Sequence, residues 1–139
     1  MFALDIRTVF FICIGFIYIY GIGMTIFARK VSATFDGIYL FALANFSIAT
    51  GFTLVSLMGH VDIFWSIIVA NSLILLCSML IYHGHLQFIG AENNPVILSV
   101  LLLMGAISLH VHFTYILPSA NNRIIVTSIY NCLLFRSYK

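Results

Sequence analysis

The chain has 139 residues, of which 63% are hydrophobic, 15% aromatic and only 7% charged, with a formal net charge of +2. Soluble domains carry about 25% charged residues, so too few charges are present here to build a water-facing surface, and most of the surface must face lipid. The length allows one compact unit, and scattered single cations without a basic stripe exclude a nucleic-acid partner.

The uncharged run from Thr8 to Ala28 comes first. As a helix it is about 31 Å long, enough to cross a hydrocarbon core of about 30 Å. A cleavable signal needs basic residues in front, a shorter apolar run and a small-residue cleavage site. Here the basic pair, Arg29-Lys30, follows the run. That is the pattern of a retained span with its basic end inside. Arg29 and Lys30 are therefore the topology determinants, and Asp5 and Arg7 lie outside.

A second span is expected over 37–58 and a third, after the loop "GHVD", over 63–85. The segment "IGAENNP" then breaks the helix, since Pro95 suits a fresh helix start and the Asn pair is turn chemistry. A fourth span follows over 96–117. Pro118 to Asn122 reads as a polar turn. The last apolar run, 124–135, is about 18 Å long as a helix and does not reach across. The expected fold class is all-α: a polytopic transmembrane bundle in one domain, with four full spans, a short or truncated fifth, and the N-terminus out. This orientation puts Arg29, Lys30, Arg136 and Lys139 inside, in keeping with the positive-inside rule. Aromatics mark span ends: Phe64, Trp65 and Tyr115 outside, Tyr82 inside.

Polar groups within spans point away from lipid. Asn71, Ser78 and His85 recur every seventh residue and share one stripe of the third helix. Ser99, Ala106, His110 and Thr114 share a face of the fourth. Ala42, Asn45 and Ala49 form a small, polar strip on the second. Ser47-xxx-Gly51, Ser66-xxx-Ala70 and Gly21-xxx-Thr25 are small-xxx-small pairs that let helices approach closely. These stripes read first as packing seams. The sharper reading is that Asn45, Asn71 and His110 line a ligand pocket between helices.

Metal and catalytic chemistry have little material. His83-x-His85 and His110-x-His112 resemble paired ligands, but residues two apart on a helix point about 200° apart. The two pairs also fall on opposite sides of the membrane. A cluster of His60, Asp62 and His110 near the outer surface is the remaining metal-binding or pH-sensing arrangement, set against hydrogen-bonded histidines at helix ends. The three cysteines, Cys13, Cys77 and Cys132, lie in apolar runs with no paired spacing and read as packing residues. The four acidic residues all lie in tails or loops, and no catalytic motif or P-loop is present. No catalytic residue, metal ligand or cofactor is expected.

Five segments occur in order: "LDIRTVF", "FALANFSIATGFTLVSL", "VANSLILL", "YHGHLQFIG" and "NNRIIVTSIYN". Together they resemble the N-terminal membrane domain found in front of proteobacterial GGDEF diguanylate cyclases. The resemblance covers nearly the whole chain. It rests on Asp5, Arg7, Thr8, Ala44, Asn45, Gly51, Asn71, Gly84, Phe88, Arg123 and Ser128. Phe41 stands where family members often carry tryptophan, Met58 and Gly59 where they carry a basic residue, and His83 and His85 are unusual. The resemblance implies an anchoring and sensory module in the bacterial inner membrane. It implies a cytoplasmic GGDEF domain, in cis or in trans, and a homodimer as partners. The chain has no Gly-Gly dipeptide and hence no GGDEF site. With the short fifth run, this fits an incomplete domain whose helix would continue past residue 135. The competing class is a stand-alone small membrane protein, such as a channel or carrier subunit.

Replacing both Arg29 and Lys30 by alanine is expected to weaken the N-out orientation. A paired cytoplasmic and periplasmic reporter fused after residue 30 reads this. Equal cytoplasmic signal in wild type and variant would remove the pair as the determinant.

Overall fold

The computed structural model describes residues 6–31, 36–91 and 95–136, with no side-chain description for Ile6 and Arg7. The expectations for Asp5, for Glu92 and the Asn pair of "IGAENNP", and for Lys139 fall outside the described residues. The described residues form helices α1 (Ile6–Val31), α2 (Ile38–Ser56), α3 (Ala70–Phe88), α4 (Val96–Tyr115) and α5 (Ala120–Arg136). A π-helical segment, Phe64–Val69, leads without a break into α3. No strand is present among them. The protein is thus an all-helical bundle. Four stretches are long and apolar enough to cross a membrane: Thr8–Val31, Ile38–Ser56, Phe64–Phe88 and Val96–Tyr115. They mark a membrane protein.

Contacts between neighbouring helices set their directions. Phe10 meets Phe52 edge-on at 5.7 Å and the Tyr18 and Thr50 hydroxyls lie 3.1 Å apart, so α1 and α2 run antiparallel. α1 packs on α2 and on no other described helix. Phe16 and Ile19 on its far side are more than half exposed, as side chains facing acyl chains are.

α2 and α3 approach closely, and glycines permit it at both ends. A Cβ on Gly51 would lie 3.0 Å from the Ala70 carbonyl oxygen and 3.1 Å from Ile74 Cγ1. At the other end, a Cβ on Gly84 would lie 3.2 Å from the Gly37 carbonyl oxygen. Gly37 itself has φ 87°, in the left-handed region that only glycine enters without cost. Ala70, against which Gly51 packs, is fully buried. In lipid, close backbone approach and dispersion replace the hydrophobic effect between helices, which is why small residues collect here.

A second cluster joins α3, α4 and α5. Leu75, Tyr82 and Leu86 meet Ala106, Val126, Tyr130 and Leu134. The Tyr130 hydroxyl donates to the Leu75 carbonyl at 3.3 Å, and Tyr82 meets Phe135 edge-on at 5.8 Å. Tyr82 therefore does not stand in an aromatic belt at the span end. The C-terminal half of α5 covers it, leaving it 3% exposed. Phe64, Trp65 and Tyr115 are exposed, as belt residues are.

The fifth helix starts earlier than its apolar run. Ser119 accepts the Asn122 backbone N–H on its hydroxyl oxygen at 3.3 Å, and its carbonyl accepts from Arg123 N–H. This N-cap draws Asn121, Asn122 and Arg123 into the first turn. α5 is 17 residues long, roughly 26 Å, and still falls short of a hydrocarbon core of about 30 Å.

Leucine at Gly84 is expected to destabilise the bundle by about 1–3 kcal/mol through overpacking. Leucine at Gly23, where a Cβ meets nothing within 4 Å, leaves stability unchanged. Thermal unfolding in detergent compares the two, and equal midpoints would deny the α2–α3 seam its role.

Candidate functional site

The polar side chains of the spans divide into two sets. Most satisfy themselves within their own helix. Asn45 donates to the Phe41 carbonyl at 2.8 Å, Asn71 to Ile67 at 2.6 Å, Ser99 to Pro95 at 3.0 Å and Thr114 to His110 at 2.6 Å. Such i−4 bonds remove the cost of a hydroxyl or amide in an apolar medium without needing a partner helix. Ser99 and His110 are each 1% exposed, and Ala106 is buried between them. The polar face of α4 is thus its packed face. Asn45 turns toward α1: its Cβ lies 3.4 Å from where a Gly21 Cβ would stand. Ser78 is half-buried mid-helix, and His85 is exposed. His85 lines a pocket of about 380 Å³ with Phe41, Tyr82, Leu86 and Phe135, at the end of the bundle where Arg29 and Arg136 lie.

A second set links helices; besides the Tyr18–Thr50 and Tyr130–Leu75 contacts, it includes a network between α4 and α5 at the opposite end. Thr127 Oγ1 donates to the Arg123 carbonyl at 3.1 Å and lies 3.3 Å from His110 Nε2. Arg123 Nη1 donates to Thr114 Oγ1 at 3.4 Å. Two residues of α4 and two of α5 therefore form one network. The Nδ1 of His110 is buried without a hydrogen-bond partner.

Beside this network lies a cavity of about 230 Å³. Met58 from the turn after α2, Ser66 from the π segment, Asn71 from α3, and Arg123 and Thr127 from α5 line it. Ile67, which a purely α-helical reading would leave on the lipid side, also lines it. The π turn adds a residue per turn over Phe64–Val69 and shifts which side chains face inward. Such turns are frequent at functional sites. Sequence periodicity has no marker for this turn; the Phe64-Trp65 pair beside Ser66 was the nearest signal.

The structure thus brings Asn71, His110 and Thr114 to one end, around Arg123 and Thr127. It does not bring Asn45, Ser78, His85 or Ser99 there. Among the described residues no group of three His, Cys, Asp or Glu side chains lies close enough to hold a metal ion, so His60, Asp62 and His110 form no such site. His83 is buried beside exposed His85, and each histidine pair diverges around its helix. Arg29 and Lys30 are exposed at the end of α1.

Comparison with protein-family models, curated proteins and solved structures gives no match.

Thr127→Val keeps the shape and removes the hydroxyl that joins His110 to α5. A loss of about 1 kcal/mol is expected, since interhelical hydrogen bonds in membranes average about 0.6 and leaving His110 unpaired adds to it. Chemical unfolding in mixed micelles measures it, and an unchanged midpoint would mean the network contributes nothing to assembly.

Proposed function

We propose that the protein is a membrane-embedded anchoring and sensory module without catalysis of its own, of the kind found ahead of diguanylate cyclases, in the bacterial inner membrane. One observation carries this reading. α5 lines the polar cavity with Arg123 and Thr127 at its start and packs Tyr130 and Leu134 into the α3–α4 core further along. It ends at Arg136, about 20 Å along the helix from Arg123. A packed helix of this kind moves as a rod. A change in what fills the cavity shifts the α5 start, and the shift reaches the other end of the bundle.

In this reading the N-terminus is outside and the Arg29, Lys30 and Arg136 end is cytoplasmic, by the positive-inside rule. The output partner is a GGDEF domain, in cis or in trans, and pairing of two copies sets its activity. The sequence resemblance, not the geometry, supplies the cyclase as partner. The lining of the cavity supports input at the opposite end: it holds a cation and hydroxyls but no arranged acid–base or nucleophilic set.

The test is the cyclic di-GMP level in the source cells with the gene present, deleted, and restored with Arg123→Gln. The expected result is a change on deletion that the wild type restores and the variant does not. Unchanged cyclic di-GMP in all strains, together with specific solute flux through proteoliposomes of the purified chain, would replace this reading with a channel or carrier subunit.

A further inference from the structure

We propose that the cavity at the Arg123 end binds an anionic group, a phosphate or carboxylate, with Arg123 as its cation. The inference rests on the reading of this cavity as the input site and names its ligand class.

The first ground is charge. A guanidinium stays protonated at any ordinary pH and carries five N–H donors. The Thr114 hydroxyl takes one of them. The described carboxylates are those of Asp36 and Asp62, and neither forms an ion pair with Arg123. Asp36 lies at the other end, next to Gly37 where α2 meets Gly84. Asp62 is exposed and does not line the cavity. Arg123 is half-buried against an apolar wall that includes Val55 and Ile124. A cation there, with its donors unspent and water partly excluded, attracts an anion far more strongly than one on an open surface.

The second ground is the company it keeps. Asn71 brings an amide to the same cavity, with a second N–H beyond the one it gives to the Ile67 carbonyl. A recess of about 230 Å³ holds a phosphate or carboxylate group with the first atoms that carry it. The third ground is depth. The cavity lies level with the turn after α2 and the start of α5, and Trp65 and Tyr115 are exposed at the same end. Aromatic belts of this kind stand at the headgroup level of a bilayer. A lipid phosphate and a soluble anion both reach this level, and both share the chemistry.

Trp65 is the sole tryptophan and directly precedes the cavity-lining Ser66, so its fluorescence reports on the site. The full chain in neutral detergent is titrated with short-chain phosphatidic acid, short-chain phosphatidylcholine and inorganic phosphate. Wild type is expected to give a saturable signal with phosphatidic acid, inorganic phosphate or both, and not with phosphatidylcholine. Saturation by phosphatidic acid alone makes the ligand a lipid headgroup; saturation by inorganic phosphate as well makes it a soluble anion. Arg123→Gln is expected to weaken binding about tenfold or more, through loss of a charge-assisted contact. Arg29→Gln, at the opposite end, stays within about twofold, which separates a site from general attraction to cations. Arg123→Lys, which keeps the charge and loses the fork, falls between them and serves if the glutamine variant does not fold. Equal binding of phosphatidylcholine, absence of saturation with every anion, or Arg123 variants that match wild type would each overturn the site. Because the readout is binding alone, a failed cyclic di-GMP test leaves this result standing, and a failed titration leaves the signalling test to be decided on its own.

Discussion

The seam between α2 and α3 is the constraint on which the rest of the bundle depends. In an apolar solvent two helices gain nothing by hiding leucines from water. They gain by bringing backbones close, and that requires residues with almost no side chain. Gly51 against Ala70 and Gly37 against Gly84 fix the two helices at both ends. Two points of contact set the register and the crossing direction together. α1 then lies on one side of this pair and α4 and α5 pack on the other. A larger residue at either point would push apart the two helices on which α1, α4 and α5 pack.

That arrangement decides where polar groups meet. With α2 and α3 clamped, the end of α2, the π segment and the start of α5 converge at one end of the bundle. Ser66 and Asn71 meet Arg123 and Thr127 there although the two pairs lie more than 50 residues apart in the chain. The other end gathers Arg29 and Arg136, exposed, around an aromatic pocket. The two ends therefore differ in kind. One holds a half-buried cation among hydroxyls and an amide. The other presents cations to solvent. α5 reaches both ends, as α2 and α3 do.

The helices themselves were legible in the sequence, because an apolar run long enough to cross a bilayer has few alternatives. The buried face of α4 was legible too. Ser99, Ala106 and His110 share a side at helical spacing, and all three are buried. Three features were not legible. The start of α5 depended on Ser119 as a cap, which pulled polar residues into a helix that hydropathy alone would begin at Ile124. Tyr82 looked like a belt residue until α5 was seen to cover it. Asn45, placed with Asn71 and His110 by composition, faces α1, because the hairpin of α1 and α2 claims that side of the helix.

Taken alone, the sequence determined that this is a helical membrane protein, where its spans run, and which residues are small enough to pack. Those properties follow from local composition, since each backbone group in lipid must be satisfied within its own helix. Only the tertiary structure decided which polar residues face one another. Helix period places a residue on a face, but it does not say which neighbour that face meets. The π turn at Phe64–Val69 changes the period itself. The cavity around Arg123 exists because that turn, the glycine seam and the capped start of α5 all hold at once, and no single stretch of sequence contains it.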